Sequence, residues 1–135
     1  MLLKKPIELG KGAEGPVYRI ATNLVCKDWH DSAWCRYNIK SIIRRFKSIE
    51  KRYNTLPERV KKKVKLPIFA GYEKDYNDRI FTYHEYIKMK KVNSNKFHNH
   101  KIYNILDKKF KDLQINSNVL YSKGIFYLVD VAVRK

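Results

Sequence analysis

The stretch Leu9-Gly10-Lys11-Gly12-Ala13-Glu14-Gly15-Pro16-Val17-Tyr18 spells G-x-G-x-x-G-x-V, a glycine-rich turn set between two apolar runs. Three glycines at that spacing let a backbone bend sharply and approach a polyphosphate with no side chain in the way. The same glycines also suit a turn that only joins two strands. The residues downstream of the turn decide between the two.

On either side of the turn, Leu3 to Leu9 and Val17 to Ala21 read as strands, a hairpin longer than the tight two-residue kind. Asn23 is a turn residue, and Leu24-Val25-Cys26-Lys27 makes a third strand. A lysine in an apolar strand is expensive to bury unless a negative group meets it. Asp31 or Ser32 caps a helix running to about Asn54. Ile39, Ile42, Ile43, Phe46, Ile49 and Tyr53 recur at three- and four-residue steps and form one face. Glu50, four after Phe46 and three before Tyr53, is expected on that face, with Arg44, Arg45, Lys47, Lys51 and Arg52 largely outside.

Further along, Arg59 to Lys65 is a basic run after Pro57. It reads as a solvated helical turn leading into a strand, or as a phosphate-backbone contact surface. Few aromatics interleave with it, so base stacking has no support there. Pro67 to Tyr72 and Arg79 to Tyr83 are strand-like, joined by the charged turn from Glu73 to Asp78 and succeeded by His84-Glu85-Tyr86-Ile87. Lys88 to Lys96 reads as a polar linker and Phe97 to Lys109 as a helix. After Phe110 to Leu120, Lys123-Gly124 makes a turn into the strand Ile125 to Val129, which ends at Asp130.

The chain has 135 residues, 44% of them apolar and 13% aromatic, enough for one folded domain with a core. Its 30 lysines and arginines against 13 acidic residues give +17, a balance that favours acidic partners such as nucleotides or nucleic acid. Cys26 and Cys35 form no C-x-x-C pair, and His98 and His100 have no carboxylate cluster beside them, so neither a disulfide framework nor a zinc site is indicated. No run approaches the roughly 18 apolar residues of a membrane span, and a cytoplasmic protein is expected.

The glycine-rich hairpin and the strand V-x-K after it resemble the start of the protein-kinase fold. The resemblance implies that Gly10, Gly12, Gly15 and Val17 cover ATP and that Lys27 holds its α- and β-phosphates, with Glu50 pairing Lys27. His84 takes the gatekeeper position, and the Glu85 carbonyl and Ile87 amide would read the adenine. Phe110 to Leu120 resembles the catalytic loop H-R-D-L-x-x-x-N, with Asp112 accepting the substrate hydroxyl proton and Asn118 helping to hold a metal ion. Phe110-Lys111 stands in place of His-Arg, and the Asp-to-Asn interval is one residue longer, so Asn116 or Ser117 is an alternative metal-side group. Asp130 resembles the aspartate of D-F-G and would bind Mg²⁺, although Val131-Ala132 replaces Phe-Gly.

The expected fold is α+β: a five-stranded antiparallel sheet with one long helix, resembling the kinase N-lobe over residues 1–87, then a short helix and a β-hairpin over 88–135 as an abbreviated C-lobe. The resemblance spans nearly all of this chain but about half of the family's domain. It implies a minimal, atypical kinase moving the γ-phosphoryl of Mg-ATP to a Ser/Thr hydroxyl of its own or of a partner that completes the missing lobe. A pseudokinase acting as an interaction module is the first alternative, and a basic nucleic-acid-binding protein the second.

Overall fold

The computed structural model describes residues 2–12, 15–29, 39–74, 79–92, 97, 100–113, 118–129 and 131–134. The chain is α+β and divides into two compact units, residues 1–43 with 68–87 and residues 44–67 with 88–135.

The first unit is built on an antiparallel sheet of five strands: β1 (Leu2–Gly12), β2 (Gly15–Ala21), β3 (Leu24–Asp28), β5 (Phe69–Lys74) and β6 (Ile80–Glu85). Their order across the sheet is β1-β2-β3-β6-β5. The glycine hairpin is tighter than its sequence suggests, because the ladder continues to a Gly12–Gly15 pair and leaves two residues between the strands. Gly15 explains the closeness. Its φ is +130°, and a Cβ there would overlap the Asp28 carbonyl oxygen, so only glycine fits where the hairpin meets β3. Ala21, Cys26, Trp29, Ile42 and Ile80 are this unit's buried apolar residues among those described, and Cys26 is a free thiol, as a small buried hydrophobe would be.

Helix α1 (Ile39–Tyr53) begins among the residues of the first unit and continues into the second. The part of the expected helix before Ile39 lies outside the described residues, as does Cys35. Ile42 is buried, and Ile49 and Tyr53 pack against the second unit's core. Lys51 and Arg52 in the last turn complement the helix dipole. The helix closes with the Asn54 amide on the Glu50 carbonyl at 2.9 Å, and Pro57 then starts the short helix α2 (Glu58–Lys61).

The second unit holds a four-stranded sheet made of β4 (Val64–Lys65), β7 (Lys90–Lys91), β9 (Val119–Ser122) and β10 (Ile125–Leu128), in the order β4-β10-β9-β7. The β9–β10 hairpin turns on Lys123 and Gly124, at φ 49° and 84°, as a two-residue turn requires. β4 joins β10 in parallel, with Val64 opposite Phe126, which draws residues 44–67 into this unit rather than into the first eighty-seven residues. The helix expected over 97–109 is interrupted: Phe97 is helical, residues 98 and 99 lie outside those described, and a turn in which the Ile102 amide donates to His100 Nδ1 at 3.3 Å precedes α3 (Tyr103–Asp107). β8 (Phe110–Lys111) pairs with β11 (Ala132–Val133).

One contiguous core fills this unit, including Leu56, Val60, Val64, Leu106, Phe110, Val119, Leu128 and Val131. Phe97 and Tyr103 meet edge-to-face at 5.2 Å, and Phe126 lies 5.1 Å from Phe97 and 5.3 Å from Tyr121, geometries that aromatic quadrupoles favour. The Tyr53 hydroxyl donates to the Val64 carbonyl at 2.6 Å and pins α1 to β4.

Candidate functional site

Register decides what the first unit brings together. Directly paired residues of an antiparallel ladder share a face. Gly10 pairs with Val17, Val17 with Lys27, and Lys27 with Thr82, so three of the expected ATP-site residues stand in one row across β1, β2 and β3. Val25 and His84 form the neighbouring pair on the same face, two residues along.

Lys27 is half-buried, and its Nζ lies 4.1 Å from the centroid of the Trp29 ring, within cation–π range. Trp29 Nε1 donates to Thr82 Oγ1 at 2.8 Å, and Thr82 Oγ1 lies 3.1 Å from His84 Nε2. Thr82 is fully buried, so this three-residue chain satisfies a hydroxyl that water does not reach. Burial, with the nearby Lys27 charge, pushes His84 down to about 4 from its ordinary 6.5, so the ring is neutral at pH 7. Phe69 packs on it at 5.5 Å. Trp29, Thr82 and His84 thus form a hydrogen-bonded chain beside the Lys27 cation.

Asp28 points the other way from Lys27 along β3. It is buried, and Arg79 Nη2 reaches its Oδ2 at 2.6 Å, the compensation a buried carboxylate requires. On that side Cys26 is pushed up to about 11, chiefly by burial and then by the Asp28 charge. The Tyr83 hydroxyl donates to Glu73 at 2.6 Å, and desolvation, with that bond, raises its pKa above the ordinary range. Sequence reasoning assigns no role to Asp28, Glu73, Arg79 or Tyr83. An aspartate next to an expected cation is the one signal that points to any of them.

The strand that ends at Glu85 is fixed by the Glu85 amide on the Ile68 carbonyl at 2.9 Å and the Tyr86 amide on the Asn23 carbonyl at 2.8 Å. Arg19 stacks over the Tyr86 ring at 4.1 Å and donates to the carbonyls of Ala21 and Thr22. Ile87 is half-buried and closes the unit.

No family model, curated protein or solved structure matches this chain. The site is thus defined by its own geometry.

In the second unit Asp112 comes directly after β8, with an exposed side chain and φ of 65°. A non-glycine residue at positive φ costs about 1 kcal/mol or more and persists only where its surroundings impose it. Asn118 supplies part of that constraint: it is buried, and its Nδ2 donates to the Asp112 carbonyl at 2.9 Å, while the Val129 amide donates to the Asn118 carbonyl at 2.8 Å. Asp112 and Asn118 are therefore brought together, through backbone rather than through two carboxyl-type oxygens. Phe110, standing where the kinase pattern has histidine, is fully buried in the core. Asp130, Asn116 and Ser117 lie outside the described residues; Val129 and Val131 flank Asp130, and Val131 is buried.

Glu50 is a correction. Its side chain is exposed, because it stands about 100° round the helix from Ile49 and about 80° from Ile42, off the buried stripe. Ile39, Ile43 and Phe46 broaden the apolar set in sequence, so the apolar pattern alone turns Glu50 inward. Among the described residues, no group of three or more His, Cys, Asp or Glu is arranged to hold a metal ion. No helix among them is long and apolar enough to cross a membrane.

Proposed function

We propose that this chain is a minimal kinase-like phosphotransferase, binding Mg-ATP on the Lys27 face of the five-stranded sheet and transferring to a Ser/Thr hydroxyl. The observation that carries the proposal is the row Gly10–Val17–Lys27 across three adjacent strands. It sets a glycine backbone, an apolar side chain and a half-buried cation side by side, the set that phosphates and a base ring need. The strand order β1-β2-β3-β6-β5, with a long helix between β3 and β5, supports the kinase-like topology. So does the β9–β10 hairpin leading to Asp130.

Mg-ATP, when bound, supplies the phosphoryl group and its charge-balancing ion. Lys27 offers its ammonium to the phosphates, and neutral His84 leaves the charge at that point of the face to Lys27. By the resemblance, Asp112, exposed and at positive φ, would be the group that accepts the proton of an attacking hydroxyl. Asn118 fixes the loop that carries Asp112, and Asp130 is the proposed metal-side carboxylate. Glu50 is exposed, and the proposal does not rest on it. A serine- or threonine-bearing partner, or a second copy, would supply the acceptor.

The pseudokinase alternative rests on the sequence, where Phe110-Lys111 stands in place of His-Arg and Val131-Ala132 in place of Phe-Gly; the Asn118 bond to the Asp112 carbonyl uses Nδ2, not the oxygen that a metal ion would take. Incubation with γ-labelled ATP and Mg²⁺, with casein as an added acceptor, separates the two. Wild-type protein should incorporate label well above Asp112→Ala and Asp130→Ala variants. Incorporation equal to that of the variants, with ATP still bound, would leave the interaction-module reading standing and remove catalysis.

A further inference from the structure

The charge of this protein is almost entirely on one unit. Residues 44–67 and 88–135 carry 21 lysines and arginines against 5 acidic residues, +16, while residues 1–43 and 68–87 carry 9 against 8, +1. Within the second unit the densest part is residues 44–67, with ten cations and two carboxylates, Glu50 and Glu58. Glu58 is already paired with Lys61 at 3.0 Å.

We infer that this unit binds the phosphate backbone of a nucleic-acid duplex along the surface from Arg44 to Lys65. Arg44, Lys47 and Lys51 are all exposed and fall within about 60° of one another round α1, a single stripe about 10 Å long. Lys62 and Lys63 at the end of α2 and Lys65 on β4 are exposed as well. Like charges at i, i+3 and i+4 work against a helix, so the stripe weakens α1 rather than supporting it. A polyanion removes that repulsion by neutralising it.

The occupant is a duplex rather than a single strand because stacking groups are missing from the surface. Phe46 and Tyr53 are the aromatic residues of 44–67, both half-buried, and the Tyr53 hydroxyl is committed to Val64. Single-strand binding draws much of its energy from bases stacked on aromatic side chains, whereas duplex binding without sequence preference needs cations alone. The inference is independent of the ATP site, since none of these residues belongs to the Lys27 face.

Fluorescence anisotropy with a labelled duplex of about 20 base pairs, in RNA and DNA versions, and with the matching single strand tests it at about 50 and about 200 mM NaCl. The wild type should bind duplexes about a thousandfold more weakly at the higher salt, the dependence of about six phosphate contacts. Two separate variants, Arg44→Gln/Lys47→Gln/Lys51→Gln and Lys62→Gln/Lys63→Gln/Lys65→Gln, should each lower the salt slope by about 2 to 3. Circular dichroism melting confirms that each is folded. Lys4→Gln/Lys5→Gln, on β1, should leave the slope unchanged. Absence of duplex binding at the lower salt, an unchanged slope in both folded triple variants, equal loss in the β1 control, or tighter binding of the single strand would each overturn the inference.

Discussion

The two units solve the same problem of stability with different means. Among the described residues, the second hides a contiguous core of thirteen buried residues, while the first has five buried apolar side chains and leans on its strand ladder. Of the seven large hydrophobic residues that stand exposed among those described, Leu2, Ile7, Leu9, Ile68, Phe69 and Tyr72 are on the first unit and only Val129 is on the second. Charge runs opposite, near zero on the first and +16 on the second. A unit held by backbone register tolerates side-chain change and depends on close backbone approach. A unit held by packing depends on volume.

The largest expected effect breaks the first unit at its closest backbone contact. Gly15→Ala forces a methyl group into the Asp28 carbonyl and strains the positive φ that the hairpin uses, so urea denaturation should show the sheet unfolded or weakened by about 4 kcal/mol or more. Gly10→Ala, where the added Cβ meets nothing within 4 Å, should cost less than about 1 kcal/mol. Equal losses would mean that the glycine turn is not organised by its contact with β3. For the second unit the counterpart is Phe110→Ala, expected to cost about 3 to 5 kcal/mol, since a fully buried ring leaves a cavity.

Acid sharpens the contrast next. The folded value of His84, about 4, lies below its ordinary 6.5, so folding holds the neutral ring. Stability from this group is complete above pH 6.5 and is lost as pH falls toward 4, by about 3 kcal/mol. Melting temperatures between pH 7 and 4 should therefore fall steeply in the wild type and less in His84→Gln. The smallest effect belongs to Glu50: on a solvated helix face, Glu50→Ala should change stability by less than about 0.5 kcal/mol in a thermal melt and leave nucleotide affinity unaltered. A tenfold loss of ATP affinity in that variant would restore the ion pair with Lys27.

The legible parts of the sequence are those with a strong local signal. Apolar runs on either side of the glycines mark β1 to β3, and the position of Lys27 on the third strand comes with them. Lys123-Gly124 marks its hairpin for the same reason, because two positive φ angles suit few residue pairs. Two-residue strands carry no such signal. β4 is half of a basic run, and neither its parallel pairing to β10 nor the β8–β11 ladder beside Asp112 has a period to read. The helix expected from Phe97 is interrupted at 100–102 because His100 and Ile102 form a turn, a local side-chain bond that competes with helix. Glu50 misleads because six apolar residues form one stripe about 120° wide that includes it, and only packing selects the part that is buried. The row that joins Gly10, Val17 and Lys27 is legible residue by residue, but its register comes from the ladder.

That row is most directly tested by calorimetric titration with ATP and Mg²⁺. Wild-type protein should bind, Lys27→Ala should lose at least tenfold in affinity, and Lys62→Gln on the basic surface should bind as the wild type does. No binding by the wild type, or equal binding by Lys27→Ala, would contradict a nucleotide site on the Lys27 face.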